Sequence, residues 1–156
     1  MDKEDLRKFL VAAHQAGYIV GDEKRWTKEV DGSTTIKFTQ GDWTHSDNFF
    51  GGEPFGGRIL VTYKSKPVWI MVYYGWVEAD VDLNQFYKLL RNALKLMPES
   101  APFRGPELYQ EQEYTYKNHW TGGLERYNGE DQIHKGDKLV YQANYFGGFV
   151  DQRAGV

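Results

Sequence analysis

The residues of this chain that could do chemistry are few, and they sit among aromatic rings. Asp47 lies in the run Trp43-Thr44-His45-Ser46-Asp47-Asn48. A carboxylate enclosed by rings is partly desolvated, which suits a general base or an anchor for a polar ligand. The plainer role is that of a loop Asp bonding nearby backbone N–H groups. Arg104 stands in Phe103-Arg104-Gly105-Pro106, where a rigid turn could aim its guanidinium as a bidentate clamp on a carboxylate or phosphate. The alternative is an internal ion pair that ties this connector to the sheet, with Asp47 a possible partner. Glu130 and Asp131 add two carboxylates, each more often an exposed strand residue than a functional one. His14, His45, His119 and His134 show no metal-ligand spacing, so no metal and no cofactor is expected. Trp43, Trp69, Tyr74 and Trp120 could wall a cleft by stacking, although most aromatics of such a chain fill the core.

These side chains need a scaffold, and the sequence carries a sign of one that is doubled. Phe55-Gly56-Gly57 is echoed 72 positions later by Tyr127-Asn128-Gly129, and Trp69 through Gly75 by Tyr141 through Gly147. Gly51-Gly52 is echoed by Gly122-Gly123, and Trp43 is matched to Trp120. A fixed offset that keeps aromatic and glycine positions marks a structural repeat. Two copies are too few for a solenoid. The expectation is one domain over residues 1–156 with pseudo-repeats at about 2–78 and 82–150.

Helical spacing of Leu6, Phe9, Leu10 and Ala13 predicts a first helix over Asp2 to Ala16, capped by Asp2. Asp82, with Gln85 at the capping-box position, opens a second whose stripe is Leu83, Phe86, Tyr87, Leu90, Ala93, Leu94 and Met97, ended by Pro98. Ile19-Val20 reads as the start of a strand, and Asp31-Gly32 as a hairpin turn between Lys28 to Val30 and Thr34 to Phe38. Gln40 to Phe55 reads as a structured loop. Arg58 to Tyr63 and Val68 to Tyr74 form a hairpin about Lys64-Ser65-Lys66-Pro67. Glu107 to Lys117 fits one strand or a bent pair. A turn at Lys135-Gly136-Asp137 leads to a last strand over Leu139 to Phe146, and the tail from Asp151 to Val156 is expected to be mobile. The fold class is therefore α+β, with a curved, mainly antiparallel sheet packed by two helices.

Composition narrows the function. A net charge of −3 without basic runs lacks the footprint of a nucleic-acid binder. The chain has no cysteine, which removes disulfides, thiol nucleophiles and thiolate metal sites. Met1-Asp2-Lys3-Glu4-Asp5 is no signal peptide, and the apolar stretch Val68 to Val77 is too short for a membrane span, so a cytoplasmic protein is expected. GxSxG, HExxH, Walker and dinucleotide fingerprints are all missing.

Four blocks then stand out in order: Asp47 with Phe49-Phe50-Gly51-Gly52 and Phe55-x-Gly57; Pro67-Val68-Trp69 with Tyr73-Tyr74-Gly75; Pro102-Phe103-Arg104-Gly105-Pro106; and Tyr127-x-Gly129, Ile133, Tyr141 and Tyr145-Phe146-Gly147-Gly148. Together they resemble a prokaryotic family known as domain of unknown function 5680. Members resemble stand-alone small proteins or the C-terminal half of helix-turn-helix regulators, which implies a domain that senses or binds something. No DNA-binding segment precedes Asp2, so the stand-alone layout is expected. The leading expectation is a domain that binds a small molecule in an aromatic-lined cleft between the pseudo-repeats. Trp43, Trp69, Tyr74 and Trp120 would be walls, and Asp47 and Arg104 polar anchors. The alternatives are a hydrolase or isomerase using Asp47 with His45 or Glu130, and a protein-interaction module built on exposed aromatics.

Overall fold

The computed structural model describes residues 2–17, 26–151 and 153. The strand expected at Ile19-Val20 and most of the tail after Asp151 lie outside these residues. Among the described residues nine strands form one antiparallel sheet in the order β1-β2-β3-β4-β5-β9-β8-β7-β6. They are β1 (Trp26–Lys28), β2 (Thr34–Gln40), β3 (Trp43–Gly51), β4 (Phe55–Tyr63), β5 (Lys66–Val77), β6 (Leu108–Glu111), β7 (Tyr114–Gly123), β8 (Arg126–Lys135) and β9 (Lys138–Phe149). Helix α1 (Lys3–Gly17) precedes β1, and α2 (Leu83–Leu94) separates β5 from β6. No helix among the described residues is long and apolar enough to cross a membrane.

One expectation is overturned. The segment read as a loop from Gln40 to Phe55 is largely β3, nine residues all paired with β4, of which Trp43 to Phe49 also pair with β2. Its interior, with His45, Ser46, Asp47 and Asn48 in succession, is poor strand composition. Two neighbouring ladders override that weak local preference. The stretch from Glu107 resolves into the bent pair, β6 and β7, with Gln112 at a positive φ of 55° in the turn. Asp82 caps α2 through Oδ1, which accepts from the backbone N–H groups of Asn84 at 2.9 Å and Gln85 at 3.1 Å. In the apolar stripe of α2, Leu89 is buried while Leu83 is exposed.

Side chains alternate between two faces of the sheet. On one face Leu6, Phe9, Leu10 and Ala13 of α1 share a buried cluster with Ile59, Val61, Trp69, Met71, Tyr73, Phe103, Tyr127 and Tyr145. A second cluster joins Phe86, Leu89, Leu90, Ala93 and Leu94 of α2 to Tyr114, Tyr116, Ile133, Val140, Tyr141 and Ala143. We call this the covered face. The opposite face carries Tyr74 and Phe146, 60% and 58% exposed, and we call it the open face.

At the centre of the sheet β5 pairs with β9. Tyr73 lies opposite Tyr145, flanked by Met71 opposite Gly147 and Gly75 opposite Ala143. Large rings on the covered face lie over glycines. A Cβ on Gly57 would stand 2.7 Å from the Tyr73 hydroxyl, and one on Gly129 would collide with the Tyr145 ring. Glycine is needed there because the ring occupies the space of a side chain.

Candidate functional site

The covered face holds two carboxylates in contrasting settings. Paired residues of an antiparallel sheet point the same way, so the register carries Asp47 to Ile59, Met71 and Gly147 on one face. Tyr73, Tyr145, Ala143 and Asp131 share that face through the same pairings. Asp131 is completely buried. Its Oδ2 accepts from Arg104 Nε at 2.9 Å and from the Tyr116 hydroxyl at 2.9 Å. Its Oδ1 accepts from the Tyr141 hydroxyl at 3.2 Å, and Arg104 Nη2 donates to that same hydroxyl oxygen at 2.7 Å. Tyr116 in turn accepts the Gly105 N–H at 3.0 Å, and Asn118 Nδ2 donates to the Gly105 carbonyl at 2.8 Å. The connector is thus pinned to β7, β8 and β9 by a closed polar network. Burial, reinforced by the Asp131 charge, pushes the Tyr116 hydroxyl well above its ordinary range.

Asp47 has less support. Its Oδ1 accepts a 2.5 Å hydrogen bond from the Tyr73 hydroxyl. Burial raises its carboxyl to about 6, with the Tyr73 bond and the Arg104 charge pulling the other way. His45, two residues away on the same face, is held down to about 4 by burial, so it is neutral at physiological pH. His14 of α1 is lowered well below its usual value by burial, then by the positive field of Arg104 and by His45.

Asp47 and Arg104 are therefore electrostatic neighbours. The ion-pair partner of Arg104 is Asp131, a residue expected to lie exposed on its strand. The period-two pattern Tyr127, Gly129, Asp131, Ile133 is the signal that would have placed it on the buried face. Trp43 is partly buried, stacked on Phe9 at 5.3 Å between centroids and near Tyr63 at 4.6 Å. Trp69 is core, at one end of the stack Trp69–Tyr127–Phe103, with its indole N–H donating to the Leu124 carbonyl at 3.1 Å. Tyr74 points to the open face, away from Asp47. Glu130 is there as well, so the structure brings His45, but not Glu130, to the side of Asp47.

A concavity among the described residues lies on the second half of the molecule. Where β6 begins, β7 runs on, and a groove of about 570 Å³ is lined by Glu107, Leu108, Lys117, Asn118, His119, Trp120, Glu130 and Gln132. Of the expected site residues Trp120 and Glu130 line it, and the Trp120 ring itself packs against the covered-face cluster. Glu130 organises a polar patch. Its Oε1 accepts from Gln132 Nε2 at 2.8 Å, and its Oε2 from Gln142 Nε2 and Asn144 Nδ2, each at 3.0 Å. Among the described residues no group of three or more His, Asp or Glu side chains could hold a metal ion.

The family model for domain of unknown function 5680 (DUF5680) matches residues 47–150. That span runs from Asp47 to the end of β9 and includes both carboxylates and the groove. No curated protein and no solved structure matches the chain.

Proposed function

The chain belongs to the DUF5680 family, and from the geometry above we propose that it binds a small molecule in the groove bounded by Lys117, His119, Trp120, Glu130 and Gln132. The observation that carries this reading is the groove itself. It has the volume of a small-ligand site and is lined by charged and amide groups able to orient a ligand. This moves the expected site away from Asp47 and Arg104, since the guanidinium is committed to Asp131. The test is amide NMR of the labelled protein against a library of small polar compounds. Binding should perturb Lys117, His119 and Gln132 and weaken in Lys117→Ala and Glu130→Gln. Perturbations confined to His45, Asp47 and Tyr73 would instead support an enzyme or a binder that works on the covered face. The observation favouring that second reading is the raised carboxyl of Asp47 beside a neutral His45.

We also infer an internal duplication with a pseudo-two-fold axis between Tyr73 and Tyr145. Every β5–β9 pair supports it, since residue i of β5 faces the residue whose counterpart 72 positions back faces i + 72. The offset for β3 and β7 is 71, from their registers with β4 and β8. Asp47 then corresponds to Asn118, and Phe49, not Trp43, to Trp120. The hydrogen bond from Tyr73 to Asp47 has its twin in Tyr145 to Asn118 Oδ1 at 2.7 Å. The groove and its polar patch belong to one half only.

A further inference from the structure

We propose that the ligand class is a neutral saccharide, stacked on Tyr74 of the open face and hydrogen-bonded by the patch around Glu130. This rests on the binding reading above and extends the groove toward the sheet centre. Tyr74 is directly paired with Gly56, and a Cβ there would stand 3.2 Å from Tyr74 Cδ2. The ring therefore leans over a strand position without a side chain, and at 60% exposure it offers a face to solvent. Phe146, 58% exposed, sits two residues from Asn144 on the same face.

The row across the sheet from Tyr74 runs through Asn144 and Glu130 to His119. At about 4.8 Å per strand, Tyr74 and Glu130 are roughly 10 Å apart. That span suits a disaccharide, with one ring on the tyrosine and the other over the carboxylate.

The hydrogen-bond inventory indicates what such a ligand must supply. Gln132 Nε2 donates to Glu130 and Gln142, and Gln142 Nε2 donates to Glu130 and Asn144, so both amide nitrogens are spent. Asn144 Nδ2 gives one hydrogen to Glu130 and keeps the other. Among the described residues the capacity left over is mostly acceptor: Gln132 Oε1 and the remaining lone pairs of Gln142, Asn144 and Glu130. An acceptor-rich patch with one spare N–H calls for a ligand rich in donors that also accept. Hydroxyls do both. Glu107 and Glu130 disfavour an anion, and Lys117 in the same groove disfavours a cation. A pyranose adds the apolar C–H face that stacks on an exposed ring.

The experiment is amide and side-chain amide NMR of the full chain titrated with glucose, galactose, mannose, N-acetylglucosamine, maltose, cellobiose and lactose at millimolar concentration. Spermidine, citrate and an indole fragment complete the set. Shifts from a sugar at Tyr74, Gln142, Asn144 and Gln132 are expected. Tyr74→Ala should weaken binding about tenfold, and Tyr74→Phe should retain it, since the ring does the stacking. Sugar binding unaffected by Tyr74→Ala would overturn the proposal. So would silence from every sugar while spermidine, citrate or indole perturbs Lys117 and His119, an outcome that leaves the groove a binding site for another class. Silence from all compounds would overturn both readings.

Discussion

Asp47 and Asp131 occupy the same face of one sheet, and folding has treated them differently. Asp131 is sealed from water but meets a guanidinium and two hydroxyls. Asp47 is less buried and meets one tyrosine, with Arg104 acting on it only through space. A buried carboxylate is tolerated where its lone pairs are filled and a cation is adjacent. Where one hydroxyl is all it has, desolvation wins and the proton is held more tightly. The difference teaches that depth alone does not decide the state of an acid; the company it keeps does.

The strongest way to break the comparison is to make one substitution at both sites. Asp131→Asn leaves Arg104 buried without its counter-charge, which typically costs about 3–5 kcal/mol. We expect urea unfolding to show a loss of that size, with a chain that is partly unfolded at 37 °C. A loss near zero would mean that Arg104 finds another partner and that the network does not hold the connector. Asp47→Asn should do the opposite. At Asn118, the position that the proposed duplication matches to Asp47, the side-chain amide already receives the hydroxyl of Tyr145 at 2.7 Å, so an amide fits the geometry. Removing a charge that burial disfavours is expected to stabilise the protein at neutral pH.

The sign with pH follows from the direction of each shift. Asp47 moves from 3.8 to about 6 on folding. Its contribution to stability is present at low pH and is lost as pH rises to 6. His45 moves from 6.5 to about 4, so its neutral form favours the fold above pH 6.5 and the advantage is lost as pH falls. His14 acts in the same direction. Two histidines thus oppose one aspartate, and stability should rise with pH between about 4 and 6.5. Asp47→Asn removes the opposing slope. The variant should match the parent near pH 4 and exceed it by up to about 3 kcal/mol above pH 6, as the shift implies. Equal curves at all pH values would show Asp47 to be hydrated like an ordinary surface acid.

A smaller effect tests the glycine seats of the two central tyrosines. Gly129→Ala forces the Tyr145 ring off its strand and should cost about 1–3 kcal/mol, as overpacking does, read as a shift in urea midpoint. Gly17→Ala, where nothing lies within 4 Å of the new methyl, is the control and should not destabilise.

Much of the scaffold was legible. Asp82, the helical stripes and the turn at Lys135-Gly136-Asp137 carry local signals strong enough to place α2, α1 and the last hairpin. β3 was not legible, because Ser46, Asp47 and Asn48 read as loop until the ladders on both sides are known. Asp131 was hidden for a related reason. An acid between Gly129 and Ile133 looks like a surface residue unless Arg104, 27 positions away, is known to arrive beside it. The groove escaped entirely, since it depends on how far β7 outruns β6.

The smallest effects separate two tyrosines that are adjacent in sequence and opposite in fate. Tyr73→Phe deletes the hydrogen bond to Asp47, the one that a side chain among the described residues donates to it, which should cost about 1 kcal/mol. It should also push the Asp47 carboxyl above its present value of about 6, since that bond now pulls it down. Carboxyl-carbon NMR of Asp47 across pH would read the change directly. Tyr74→Phe removes a hydroxyl on the open face, where water replaces it, and should change stability by less than about 0.5 kcal/mol. If Tyr74→Phe proved the more damaging, the open face would be covered by something in the folded protein. The contrast between a sealed face and one free for a ligand would then be lost.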